Sequence, residues 1–165
     1  MEKSQSAVYL DIETTSLDPR DGDLTVIGLC LERGASYDFV QLVEDGLHAS
    51  ALIQHVSAHR TLYTYNGERF DLPYIKAKLG VDLTEYCAHR DLMHACHRQG
   101  LYGGMKQVER MLGITRNVKD VSGIVAVRLW QNYKLDGCRE SLEKLLEYNR
   151  EDVLNLRALR FKLQA

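Results

Sequence analysis

The sequence has only 2 prolines among 165 residues, and neither a low-complexity segment nor an internal repeat. That excludes a proline-rich or disordered polar chain. It has no C-x-x-C pair: Cys30, Cys87, Cys96 and Cys138 stand at spacings that match neither a disulfide framework nor a strong zinc pattern. It has no apolar run long enough to cross a membrane, and Met1 to Ser6 is too polar for an export signal. Reduced thiols in a cytoplasmic protein, with no membrane partner, are therefore expected. Charge of one sign is also missing. The net charge of −2 announces no global basic field, although a local basic rim around an acidic centre stays compatible with it.

What is present is an ordinary globular composition, 45% hydrophobic and 27% charged. A chain of this length buries roughly 70% of its unfolded surface, so one domain over residues 1–165 is expected.

Val8, Leu10 and Ile12 alternate with Tyr9, Asp11 and Glu13, the period of a strand. Asp11 and Glu13 then point to one face of what reads as a central, buried strand. Two unit charges about 4 Å apart repel by roughly 4 kcal/mol at an effective dielectric of about 20. Either one acid is protonated or a cation sits between them. Alone, the pair reads first as a strand end at solvent, until further acids converge on it.

Leu24 to Glu32 and Tyr37 to Leu42 read as two further strands, linked near Arg33-Gly34. Gly46 to Ala58 has helical spacing, and Thr61 to Tyr65 is a β-branched and aromatic fourth strand ending at Asn66-Gly67. Phe70 to Leu79 reads as a helix with Pro73 in its first turn, and a short fifth strand is expected at Tyr86 to Ala88. Helices are expected at Leu92 to Arg98, Met105 to Leu112, Ile124 to Tyr133 and from Arg139 onward. Together these make an α/β fold, a central mixed five-stranded sheet flanked by helices with the first strand in the middle, as in the ribonuclease H-like fold.

Asp71 opens the helix after the fourth strand, where the helix dipole alone would favour an acid. In a parallel sheet that loop also sits beside the end of the first strand, which brings a third carboxylate to Asp11 and Glu13. Tyr148 and Asp152 lie four residues apart on one helix face, with Leu145, Leu156 and Leu159 close to it. Four carboxylates at one site call for cations. All-oxygen donors suit two Mg²⁺ or Mn²⁺ ions, which about 4 Å apart can activate a water and stabilise a leaving oxygen.

D-I-E-T at Asp11 to Thr14, Y-N-G-x-x-F-D at Tyr65 to Asp71 and Y-x-x-x-D at Tyr148 to Asp152 resemble the three motifs of DEDD 3′–5′ exonucleases. The tyrosine marks the DEDDy branch. The middle motif is similar to that of family B DNA polymerase proofreading domains. Leu101 to Lys106, Ala126 to Trp130 and Tyr148 to Leu156 further resemble YprB-like ribonuclease H-like domains.

The resemblance implies a two-metal exonuclease that releases 5′-monophosphates from the 3′ ends of single strands. DNA is set slightly ahead of RNA, although no side chain reads out a 2′ hydroxyl. Asp11 would bridge both metals, Glu13 and Asp152 would complete one site, and Asp71 would support the other. Tyr148 would orient or help deprotonate the attacking water. Thr14 would face the terminal hydroxyl, and Asn66 and Phe70 would touch the last nucleotides. Lys106 and Arg128 are candidate phosphate contacts and read equally as solvated helix charges.

A structure-selective endonuclease and a non-catalytic nucleic-acid-binding module are the alternatives. Whether a partner protein or a second copy of the chain directs substrate choice is left open. Removal of Asp11 or of Asp152 is expected to leave the metal-free fold intact or slightly more stable. Two leads are set aside: a zinc site in the Cys87 to His97 segment, where Asp91 reads better as a helix cap, and Trp130 as a base-stacking platform rather than core.

Overall fold

The computed structural model describes residues 6–165. The reading of Met1 to Ser6 as lacking an export signal rests on residues 1–5, which lie outside the described residues. Five strands form one mixed sheet: β1 (Ala7–Thr14), β2 (Leu24–Arg33), β3 (Ser36–Val43), β4 (Thr61–Thr64) and β5 (Ala88–Asp91), in the order β3-β2-β1-β4-β5. β1 is central, antiparallel to β2 and parallel to β4. Among the described residues six α-helices flank the sheet: α1 (Ala49–Val56), α2 (Asp71–Leu79), α3 (Leu92–Arg98), α4 (Met105–Leu112), α5 (Gly123–Asp136) and α6 (Arg139–Leu163).

The alternation along β1 divides the core. Val8, Leu10 and Ile12 join Leu52 and Val56 of α1 and Tyr74 and Ile75 of α2 on one face. Ala7 and Tyr9 join Val153, Leu156 and Leu159 of α6 and Leu92, Ala95 and Cys96 of α3 on the other. Asp11 and Glu13 continue the Ala7–Tyr9 set by period, so they lie on the face that α6 covers. β2 obeys the same alternation: Ile27, Leu29 and Leu31 share the first face, and Cys30 the second.

Three elements differ from the sequence expectation by more than one residue at an end. The fifth strand is Ala88–Asp91 rather than Tyr86 to Ala88, because Leu83–Glu85 is a 3-10 turn and pairing with β4 begins only at Thr61↔Ala88. For so short an edge strand, pairing outweighs propensity: Ala-His-Arg-Asp carries little β signal of its own. α1 begins at Ala49, not Gly46, because the His48 side chain caps it by accepting from the Ala51 N–H. α5 runs three residues past Tyr133 and stops at Gly137, whose φ of 67° ends the helix in the left-handed region.

Candidate active site

Glu13 is 8% exposed, Asp71 4%, and Tyr148 and Asp152 7% each, while Asp11 is half-buried. One carboxylate oxygen from each of Asp11, Glu13 and Asp152 falls within 4.8 Å of the others. Asp71 stands just outside this trio, at the first residue of α2. It arrives there because β4 runs parallel to β1, with Tyr9 opposite Tyr63, so the chain leaving Thr64 turns back beside Asp11. Asn66 makes that turn at φ 59°, a conformation asparagine tolerates.

α6 reaches the sheet closely at one point. Gly28 of β2 pairs with Asp11, and its missing side chain leaves room for Asn149 and Val153. Asn149 is fully buried and donates from Nδ2 to both the backbone oxygen and Oδ2 of Asp11, at 3.3 Å each. Gln41 of β3 donates to Asn149 Oδ1 at 2.9 Å and fixes its orientation. One turn of α6 therefore carries Tyr148, Asn149 and Asp152 together over the ends of β1 and β2.

Burial raises the Asp11 carboxyl well above its ordinary range, with the charges of Asp152, Glu13 and Asp71 adding to it and the Asn149 amide opposing. Glu13 is raised well above its range by burial and then by Asp152. Asp71 is pushed up to about 7, chiefly by burial, against backbone N–H groups that favour its anion. Asp152 is raised by burial, and here the Arg116 guanidinium opposes. Tyr148 is raised by burial and by the neighbouring carboxylates, so its hydroxyl keeps its proton at neutral pH.

The donor set suits a hard divalent cation. All the donors are carboxylate oxygens, and Glu13 Oε1 is buried with no hydrogen-bond partner. A cation would satisfy that orphaned oxygen and offset the mutual repulsion. Asp11, Glu13 and Asp152, but not Asp71, line a cavity of about 580 Å³ together with Thr14, Leu17, Phe70, Ile124 and Tyr148. Leu17 and Ile124 stand exposed at its mouth, at 84% and 76%.

The family model of the RNase_H superfamily matches residues 8–164, nearly the whole chain. The chain belongs to the RNase_H superfamily. No curated protein matches it. This RNase_H member is similar in fold to an apo nuclease, with a TM-score of 0.62 and 24% identity, covering 97% of this chain and 72% of that one. It is similar to the family B DNA polymerase of the archaeon Pyrobaculum calidifontis, with a TM-score of 0.70 and 15% identity, covering 96% of this chain and 25% of the polymerase. Brucella melitensis NrnC with bound Mg²⁺ is similar too, with a TM-score of 0.63 and 20% identity, covering 98% of this chain and 73% of NrnC. At these identities the likeness is one of fold.

The other sequence-nominated residues of this RNase_H member divide. Thr14 and Phe70 line the cavity, whereas Asn66, Lys106 and Arg128 do not. Asn66 instead donates its N–H to Asp91 Oδ1 at 2.8 Å. Lys106 donates to the Val121 carbonyl at 2.6 Å and lies 4.7 Å from the Tyr148 ring centre. Arg128 is exposed on α5.

Asp91 caps α3 through the Met93 N–H at 3.0 Å and also receives the Glu68 N–H. Glu68, Asp91 and His94 draw their donor atoms within 4.8 Å, but Asp91 is committed to three backbone N–H groups and His94 to Glu68. Trp130 is half-buried, packing on the Val26–Leu145 cluster and lining a separate cavity of about 420 Å³.

Sequence reading missed Asn149, Gly28, Arg116 and Glu109. Gly28 had a signal, a lone glycine within a strand of large apolar residues, which marks close backbone approach. Glu109 had one too: it occupies an apolar-face position of α4, between Val108 and Leu112 in the Met105, Val108, Glu109, Leu112 spacing.

Proposed function

We propose that this chain is a single-domain, metal-dependent 3′–5′ exonuclease that hydrolyses single-stranded nucleic acid to nucleoside 5′-monophosphates. The observation that carries this reading is the meeting of Asp11 and Glu13 of β1 with Tyr148 and Asp152 of α6 at a cavity, with a buried Glu13 oxygen left without a partner. Asp11, Glu13 and Asp152 would hold one Mg²⁺ or Mn²⁺, and Asp71 would support a second. Bound there, the cations would supply Lewis acidity to the attacking water and to the leaving oxygen.

The chain's own residues do the positioning. Asn149 holds Asp11 in one rotamer. Tyr148, which keeps its proton, orients the water as a hydrogen-bond donor rather than deprotonating it, the narrower of the two roles the resemblance implied. Phe70 offers an aromatic face in the cavity wall, and stacking of this kind contributes about 1–3 kcal/mol per base without sequence preference. Phe70, Leu17 and Ile124 form an apolar rim that fits a base or sugar better than a phosphate. The cavity's opening beside the acids fits a strand end.

The test uses one single-stranded DNA and one single-stranded RNA of the same sequence, each labelled at the 5′ end. Both are incubated with Mn²⁺, with Mg²⁺ and with a chelator, beside Asp11→Ala. A metal-dependent ladder shrinking from the 3′ end, absent in the variant, is expected. Tyr148→Phe should slow the ladder by roughly 10- to 1,000-fold and leave metal binding in place. Internal breaks would make the protein an endonuclease, and intact strands under every metal would make it a binding module.

A further inference from the structure

Arg116 lies in the connection between α4 and α5, yet its side chain is only 11% exposed. Its Nε donates to Glu109 Oε2 at 2.5 Å and its Nη2 to Glu109 Oε1 at 2.9 Å. Nη2 also donates to Asp152 Oδ1. Nη1 is buried without a hydrogen-bond partner, 3.9 Å from Glu151 Oε2. Glu109 is 1% exposed and accepts a further bond from Asn155 Nδ2 at 3.2 Å. Glu151 holds the same connection by accepting the Asn117 and Val118 N–H groups.

Burying an ion pair carries a desolvation cost that good geometry only partly offsets. A pair kept beside four acids therefore invites a role beyond stability. The fork on Glu109 already balances the charge of Arg116. What remains for Asp152 is a rigid donor whose positive field Glu109 partly offsets. A metal-binding carboxylate needs such a neighbour: its rotamer must be fixed, but a bare cation at the same spot would repel the metal.

We propose that Glu109 and Arg116 form a charge-balanced clamp that orients Asp152, with Glu109 cancelling the positive charge that would otherwise weaken cation binding. The inference rests on the reading of the acids as metal ligands. Both are positioning residues, since neither touches the reacting atoms.

The clamp makes the two single substitutions act oppositely on the metal. Glu109→Gln leaves Arg116 uncompensated beside Asp152, and Mn²⁺ binding should weaken by about tenfold. Arg116→Met leaves the Glu109 charge uncompensated and Asp152 unanchored. Mn²⁺ should then bind as tightly as in wild type or tighter, while kcat falls about 10- to 100-fold with KM little changed. The double variant Glu109→Gln/Arg116→Met restores neutrality, so its Mn²⁺ affinity should return to the wild-type value with kcat still low.

The experiment is calorimetric titration of Mn²⁺ into the metal-free full chain, for wild type and each variant. Thermal melts and single-turnover cleavage are run alongside. Arg116→Lys, which keeps the charge and loses the fork, replaces Arg116→Met if the latter does not fold; it should hold wild-type affinity and lose kcat. Asp11→Asn separates the two levels of inference. A wild type showing no Mn²⁺ heat that Asp11→Asn abolishes removes the metal-site reading and the clamp with it. If wild type does bind, but Glu109→Gln leaves the affinity unchanged, or the Arg116 variant weakens it as Glu109→Gln does, the pair is structural and only the clamp is overturned.

Discussion

Asp11 and Asp152 look equivalent in sequence, each a carboxylate aimed into the same cluster, and removal of either was expected to relieve repulsion alike. Their neighbours separate them. Among the described residues the Asp11 carboxylate is met by the Asn149 amide alone, whereas Asp152 is held by Arg116. Asp11→Asn relieves repulsion and keeps a polar group for Asn149. Asp152→Asn relieves repulsion but also takes a charged partner from a buried guanidinium, which costs more than losing a neutral one. In chelator, Asp11→Asn should therefore melt a few degrees above wild type, with about 2–4 °C for each kcal/mol in a chain of this size. Asp152→Asn should gain less than Asp11→Asn. An equal or larger gain for Asp152→Asn would mean that Arg116 contributes nothing to Asp152 in the folded protein. The meeting of Asp11, Glu13, Tyr148 and Asp152 was legible because each sits on a strand or helix period, whereas Asp71, argued from the parallel sheet, stands just outside the carboxylate trio. Arg116 was not legible, because its partners are 7 and 36 positions away and no periodicity links a loop residue to them.

At the scale of elements, the closeness of α6 to the sheet is set at Gly28. A Cβ there would stand 2.2 Å from Asn149 Oδ1 and 2.8 Å from Val153 Cγ2, so α6 must lift or Asn149 must turn away from Asp11. Gly28→Ala should cost about 1–3 kcal/mol in denaturant unfolding, the usual penalty for overfilling a packed site. It should also weaken Mn²⁺ binding, because the same turn of α6 carries Asp152. Gly46→Ala, where an added Cβ meets open space, is the matched control and should change neither. If Gly28→Ala lost stability while Mn²⁺ affinity held, the metal site would be independent of how closely α6 is seated. Strand and helix identities were readable over most of the chain because apolar spacing is local. β5 was displaced in the reading because what makes Ala88–Asp91 a strand is its ladder with β4, and the ladder lies outside the segment itself.

Across the whole molecule, the acids leave a signature in how stability depends on pH. The ordinary values are 3.8 for aspartate and 4.5 for glutamate; the folded protein pushes Asp71 up to about 7 and raises Asp11, Glu13 and Asp152 as well. Above the ordinary values the unfolded chain has released these protons while the folded chain still holds them. The folded state then binds more protons, and stability must fall as pH rises through that window, by about 1.4 kcal/mol per pH unit for each proton of difference. Asp18 and Asp82 are shifted the other way, to about 2, by their partners Arg20 and Thr84, so their window closes below the one in question. His89 is held below its ordinary 6.5 by burial and opposes the trend with a single proton. Four raised acids outweigh it. The metal-free melting temperature should therefore decline from about pH 5.5 to about pH 8, and Asp11→Asn should flatten the decline. Saturating Mn²⁺ should reverse the slope, because the cation binds only the ionised carboxylates and its affinity climbs as they lose protons. A metal-free melting temperature that rose across the same range would mean the carboxylates are already ionised in the folded state, held by contacts other than a metal.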